Sequence, residues 1–426
     1  FFEQLFLSDE DVEIRLIAGR ILKEKYLLNK KLIPLLSYAL KKLDVVEQQI
    51  FAIITLNSIE AVKARKILVE YLKDSIKSDF EGKVKEFPPE IFEYSYNEPI
   101  PKLLLDICIN IILNNYYVVK CGYHVSLKKG KIFYLNCESS SLMKISDIKS
   151  LNWLKDLEHL HLHRNNLVSL NGIQILQNLR SLDVSHNKIE KIENLDGLEK
   201  LEELNMSNNK IQEIEGVDCL KNLKKLYLNQ NSIKEIKDLN NLSNLETLDL
   251  SRNQISRIEN LDDLLQLDRL NLSFNKIEKI TSLENLKNLM WLYLNDNKIS
   301  KIECLLPLEN LRGLYLSNNL IERIEDLENL VNLKKLELSN NKIRKLEGLE
   351  NLLELQELYL DNNQIIKVEN LGTLRSLIML GLGRNNISEF SRESVENLKN
   401  LNFLFLNENP LDQKASEEYK RRLRFP

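Results

Sequence analysis

From Leu157 onward the apolar residues recur in one fixed phrase, L-x-x-L-x-L-x-x-N-x-I/L. The first full copy is Leu157, Leu160, Leu162, Asn165 and Leu167; the next is Leu179, Leu182, Val184, Asn187 and Ile189. The Asn then returns every 22 residues, at Asn209, Asn231, Asn253, Asn275, Asn297, Asn319, Asn341, Asn363 and Asn385, and a last copy at Asn409 follows a spacing of 24. That makes twelve copies with no Asn missed. The alternation of Leu and polar residues predicts one short strand per copy, with the Leu turned inward and the residues between them turned outward. Parallel stacking at ~4.8 Å per strand predicts a concave sheet roughly 60 Å long. The back half of each copy has no helical period, so 3₁₀ turns or extended segments are expected there. A degenerate copy, Ile132, Leu135, Cys137, Ser140 and Leu142, reads as a terminal repeat.

The first part of the chain follows a different period. Val12, Leu16, Ala18, Ile21 and Leu22 form one helical stripe, and Leu32, Leu35, Leu36, Ala39 and Leu40 the next. Val46, Ile50, Ala52, Ile53 and Leu56 repeat the first stripe at an offset of 34, and Ile67, Leu68, Tyr71 and Leu72 repeat the second. Paired helices at this period resemble HEAT-type repeats. Lys77 to Pro101 carries four prolines, Pro88, Pro89, Pro99 and Pro101, and reads as a loop or linker. A last helix is predicted over Ile100 to Asn114. The expected organisation is a helical HEAT-like domain over 1–115, a connector and capping repeat over 116–156, twelve repeats over 157–411, and the start of a C-terminal cap over 412–426.

The recurring phrase resembles the leucine-rich repeat. One such coil cannot bury its apolar face alone, so neighbours complete the core. The inward Asn can donate to and accept from the backbone of adjacent coils. The wording N-x-I-x-x-I-E-N-L, at Asn187–Leu195 and Asn253–Leu261, with N-Q-I-I-K-V-E-N-L at Asn363–Leu371, is similar to the 22-residue class typified by the regulatory subunit of protein phosphatase 1. The resemblance implies an α/β repeat protein: a horseshoe solenoid with a parallel sheet on its concave face. It also implies a phosphatase catalytic subunit as a partner on that face. Asn409-Pro410-Leu411, then Tyr419-Lys420-Arg421-Arg422-Leu423 and Pro426, resembles the opening of that family's C-terminal capping motif. There a further hydrophobic stretch follows the Pro, which implies more chain beyond Pro426.

Function is then read from the outward positions. The central column runs His161, Asp183, Asn205, Tyr227, Asp249, Asn271, Tyr293, Tyr315, Glu337, Tyr359, Gly381, Phe405. Beside it stand Phe274, Met290, Trp291 and Phe403. Exposed aromatics clustered in a concavity are typical of protein-interface hot spots. The expected partner contacts are therefore Tyr227, Asp249, Phe274, Met290, Trp291, Tyr293, Tyr315, Glu337, Tyr359, Phe403 and Phe405. A weaker candidate is a metal site at His159, His161, His163 and His186, since imidazoles at i and i+2 on a strand can share zinc. Against it, i to i+4 spans about 13 Å.

Composition narrows the rest. Charged residues make up 29% and hydrophobic residues 43%, which fits a folded chain rather than a disordered one. A net charge of −4 with mixed charges along the outward face disfavours a phosphate-backbone reader. In the back half, a basic column (Lys191, Arg257, Lys279) runs beside an acidic one (Glu193, Glu259, Glu303) and reads as a self-compensating surface. The five cysteines form no C-x-x-C and read as reduced thiols, hence a cytoplasmic or, in a eukaryote, nuclear protein. No uninterrupted apolar run reaches the roughly 18 residues that span a bilayer, and Ile107–Leu113 is broken by Asn110. Phe1 stands where an initiator Met would, which implies trimming or truncation. No nucleotide, lipase-type or zincin motif is present, and no cofactor is expected. The reading is a monomeric, non-enzymatic adaptor for another protein. The alternatives are an RNA-associated scaffold and a metal-binding protein using the His-rich strand.

Overall fold

The computed structural model describes residues 1–27, 31–80, 84 and 87–422; Leu423 and Pro426 of the capping phrase lie outside them, as do the side chains of Lys420, Arg421 and Arg422. Two compact units form, one from residues 1–142, 146–162 and 175–179, the other from 143–145, 163–174 and 180–426.

Among the described residues the first unit opens with seven helices: α1 (Phe2–Ser8), α2 (Val12–Tyr26), α3 (Leu32–Lys42), α4 (Val46–Ser58), α5 (Val62–Asp79), the single turn α6 (Glu90–Glu93) and α7 (Lys102–Asn115). The predicted stripes supply their core: Ala18, Leu22, Leu36, Leu40, Ala52, Ile53, Leu68 and Leu72 are all buried. Asp11 starts α2 by accepting the Glu13 amide at 2.7 Å, the usual N-cap bond. The proline-rich segment is not a free linker. Phe87 and Ile91 are buried, and the Phe87 ring meets Phe80 at 5.2 Å.

Helix α7 runs on through a π-turn, Tyr116–Lys120. The combined 19 residues, Lys102–Lys120, are long and apolar enough to cross a membrane by length and composition. Leu104 and Ile107 to Asn114 are nonetheless buried inside the helical unit. Asn110, which breaks the apolar run in the sequence, sits within the helix predicted over Ile100 to Asn114. Its Nδ2 donates to Asp106 O at 2.7 Å and its Oδ1 accepts from Ile132 N at 2.8 Å. A buried amide with both ends bonded interrupts neither helix nor core.

Ile132 belongs to the capping repeat. Strands β1 (His124–Lys128) and β2 (Lys131–Asn136) form an antiparallel hairpin. The turn passes through Lys129 and Gly130, at φ 53° and 77°, the pair of positive angles a two-residue hairpin needs. Strand β2 pairs in parallel with β3 (His159–His161). Ile132, Leu135 and Cys137 are fully buried, as the degenerate copy required. The strand β1 was not read from the sequence.

The second unit is a parallel solenoid. Its strands are β4 (Ser181–Asp183), β5 (Glu203–Asn205), β6 (Lys225–Tyr227), β7 (Thr247–Asp249), β8 (Arg269–Asn271), β9 (Trp291–Tyr293), β10 (Gly313–Tyr315), β11 (Lys335–Glu337), β12 (Glu357–Tyr359), β13 (Met379–Gly381) and β14 (Phe403–Phe405). Neighbours pair residue for residue at the repeat offset, Leu292 with Leu314 and Leu314 with Leu336. The central Leu of each strand is buried, and its flanks face out. The convex side is built of turns, as expected, with a 3₁₀ turn at Arg392–Val395.

Two backbone kinks recur in every 22-residue coil. The residue just before the inward Asn is left-handed, as at Arg252, Phe274 and Asp296, with φ of 54–57°. A second left-handed residue seven positions after the Asn is Gly216, Asp238, Asn260 or Gly348. Between the kinks the Asn ladder closes the coil. Asn253 donates to Leu228 O and Leu250 O at 3.0 Å and accepts from Ile233 N at 3.0 Å. Beyond β14, helix α8 (Gln413–Arg422) buries Ala415, and its Tyr419 hydroxyl donates to Leu404 O and accepts from Leu406 N, each at 3.2 Å. This helix covers the end of β14, just after the Asn409-Pro410-Leu411 phrase.

Candidate functional site

Strands β9 to β14 hold most of the aromatic residues singled out on the concave face. Tyr293 and Tyr315 come from paired positions of β9 and β10, and their rings stack at 4.5 Å with a 16° tilt. The neighbouring outward position on β10 is Gly313, beside Trp291. A Cβ on Gly313 would stand 2.5 Å from Trp291 Cε3 and 3.0 Å from Tyr315 Cε2. Any side chain there would displace the indole, so Gly313 is the seat on which Trp291 lies. Trp291, Tyr293 and Tyr315 thus form one half-exposed surface. Burial pushes the Tyr315 hydroxyl up to about 12, so that hydroxyl is neutral at physiological pH.

Charge begins on the next strand. Lys335 Nζ lies 3.1 Å from Glu357, 5.5 Å from the Tyr315 ring centre and 5.0 Å from that of Tyr359. It therefore bridges two rings by cation–π attraction. The Tyr359 hydroxyl donates to Glu357 Oε2 at 3.0 Å. Glu337, between the two tyrosines in register, has its carboxyl raised by burial. Phe403 and Phe405 are exposed at the last strand, and Tyr227, Asp249 and Met290 are half-buried on their strands.

Phe274 does not join the stack. It occupies the left-handed position after β8, and its ring meets the Arg252 guanidinium at 4.0 Å. A bulky residue in that conformation is uncommon, and here it turns the ring to the rim, 42% exposed.

The histidines do not converge on a metal. Tyr134 takes both His159 and His161 as ring neighbours, at 6.5 and 5.1 Å, and its hydroxyl is 3.4 Å from His161 Nδ1. His186, at the left-handed position after β4, bonds Asn208 Nδ2 through Nδ1 at 2.9 Å. Among the described residues no group of three or more His, Cys, Asp or Glu is placed to hold a metal ion, His163 included.

The helical unit carries a cleft of about 400 Å³ lined by Asp44, Tyr71, Asp79, Asn115, Tyr116 and Lys120. Its polar groups satisfy one another, Lys120 with Asp44 at 2.9 Å and Asn115 with Asp79 at 2.6 Å.

A second ladder on the convex side was not read from the sequence. Asn222, Asn244, Asn288, Asn310 and Asn332, each just before the first Leu of a repeat, donate to a backbone carbonyl 23 residues earlier at 2.7–2.9 Å. The N-L that recurs at most repeat junctions was its signal.

The family described as Leucine Rich repeats (2 copies) matches residues 177–219, 221–264, 309–351 and 331–374. No curated protein matches the chain. Among solved structures, an internalin from Listeria monocytogenes is 24% identical with a TM-score of 0.62, over 71% of this chain and 90% of that one. The leucine-rich-repeat protein LIC12759 of Leptospira interrogans is 28% identical with a TM-score of 0.57, over 66% of this chain and 80% of that one. A plant peptide hormone receptor, RGFR1, solved in complex with RGF2, is 26% identical with a TM-score of 0.52, over 61% of this chain and 45% of that one. The coil that these folds share is the one that the 22-residue phrase spells out here, and the chain is a leucine-rich-repeat protein.

Proposed function

We propose that the chain is a non-catalytic adaptor that binds a partner protein on the concave face of its repeats. The observation that carries this reading is the Tyr293–Tyr315 stack with Trp291 seated on Gly313. Three large rings held half-exposed on a rigid sheet offer contact area at low entropic cost, which is what an interface anchor needs. The plant receptor of similar fold was solved in complex with RGF2, which accords with a binding role. A finer reading makes the chain a regulator-like subunit of protein phosphatase 1. It is supported only by the similar 22-residue wording. The helix pairs α2–α3 and α4–α5, read as HEAT-like, would serve as a second surface.

The test is affinity capture from source-cell lysate with the parent chain beside Trp291→Ala/Tyr293→Ala, followed by titration of each recovered protein in purified form. Loss of the two rings should weaken the partner by roughly thirtyfold or more, about 2 kcal/mol, with far-UV circular dichroism unchanged. Equal affinity for parent and variant would place the interface elsewhere. Calorimetry with purified phosphatase catalytic subunit tests the finer reading, and absence of heat at micromolar concentration would remove it.

A further inference from the structure

Gly381 breaks the central column. Its register partners are Tyr359 on β12 and Phe405 on β14. Two strand spacings separate those rings, roughly 9–10 Å at the backbone, and Gly381 itself puts no side chain between them. Lys335 covers the Tyr359 ring from the β11 side. On the side toward β13 the Tyr359 hydroxyl meets Met379 Sδ at 2.8 Å. Phe405 is 41% exposed, and Met379 and Phe403 line the same notch from the neighbouring column.

The floor is acidic. The Asp361 carboxylate lies over Gly381: a Cβ added there would come within 3.1 Å of Asp361 Cγ and closer still to Oδ2. Oδ1 accepts the Gly383 amide at 2.8 Å, which fixes the group. Oδ2 therefore faces the notch. Burial raises the Asp361 carboxyl from its ordinary value. The nearby cation Arg384 is held by Glu408 in a two-pronged pair at 2.9 and 3.0 Å. Gly381 and Gly383 together make room for this carboxylate, which a side chain at either position would push aside.

We infer that the notch above Gly381, walled by Tyr359 and Phe405 and floored by Asp361, receives a lysine side chain of the partner protein. Aromatic walls attract a cation by their quadrupoles, and the carboxylate offers one fixed oxygen to accept from it. An ammonium is a compact point charge that can approach one carboxylate oxygen, whereas a guanidinium fork prefers both oxygens of a carboxylate, and Oδ1 already accepts the Gly383 amide. The inference rests on the concave-face reading and names what that face recognises at its β12–β14 end.

The chain has four methionines, so methyl-labelled Met gives four NMR signals, with Met379 as the reporter and the buried Met206 as the control. The probe is N-acetyl-lysine methylamide at millimolar concentration, compared with the arginine and norleucine analogues. A saturable shift of the Met379 signal is expected with the lysine probe, a smaller one with arginine and none with norleucine. Asp361→Asn, which keeps an acceptor for the Gly383 amide, should abolish the shift, and so should Phe405→Ala. A shift equal for lysine and norleucine would overturn the inference, as would tighter binding of the arginine probe, a shift that survives Asp361→Asn, or no shift at all. Trp291 and Tyr293 lie four strands away from β13, so partner binding lost in their variant while the probe fails would refute the lysine notch alone.

Discussion

In the inner coils one side-chain amide closes four backbone groups. Asn275 donates to Leu250 O and Leu272 O at 3.0 Å and to Ser273 O at 3.3 Å, and it accepts from Ile255 N at 2.9 Å. Asn275→Leu would leave these buried groups without partners, at about 3 kcal/mol. Asn244, on the convex ladder, makes one exposed bond, to Lys221 O at 2.9 Å. Asn244→Ala should cost under about 1 kcal/mol. Urea titration of the two variants checks the contrast, and equal losses would show that the inward ladder is not the stronger of the two. The inward Asn was legible because its place never varies. The convex Asn was not, because Lys200 and Glu354 stand at the same place and it passes for loop polarity. Gly313 and Gly381 were illegible for another reason. Their role depends on the side chain next door, Trp291 in one case and Asp361 in the other, and a repeat read along the chain does not show which neighbour fills a gap.

Elements were legible where a period ran long enough. Helices α2 to α5 and every strand from β3 onward follow the stripes and the phrase. Helix α7 was legible too, expected over Ile100 to Asn114 and found at Lys102–Asn115. Asn110 broke its apolar run in the sequence, yet it is bonded at both ends and the helix is the core of its unit. Cys108 on the same helix tests that placement. Its thiol is 3% exposed, and burial pushes it up to about 12. Alkylation requires the thiolate. In the folded chain at pH 8, iodoacetamide should therefore leave Cys108 unmodified while it labels the more accessible Cys304. In urea the two should react alike. Peptide mass spectrometry reads both sites, and early labelling of Cys108 in the folded chain would mean that α7 is not packed as a core helix.

At the scale of the whole repeat unit, stability is a chain of nearest-neighbour terms. Each coil meets only the coils beside it, so a defect in the middle differs in kind from one at the end. Leu294 is fully buried, and its amide donates to Tyr315 O at 2.8 Å, which ties its coil to the next. Leu294→Ala should cost ~2–5 kcal/mol by lost transfer energy and cavity. Coils on both sides depend on that one, so the lesion should divide the unit into two arrays that unfold separately. Leu404, in the last strand beneath the Tyr419 cap, has a coil on one side only. Leu404→Ala should loosen the capped end and leave the rest of the transition intact. Hydrogen exchange read by mass spectrometry separates the two cases. Peptides around β9 and β10 should lose protection first in Leu294→Ala, and those around β14 and α8 in Leu404→Ala. Uniform loss of protection along the unit in both variants would mean that the coils unfold as one cooperative block, and the nearest-neighbour account would then fail for this protein.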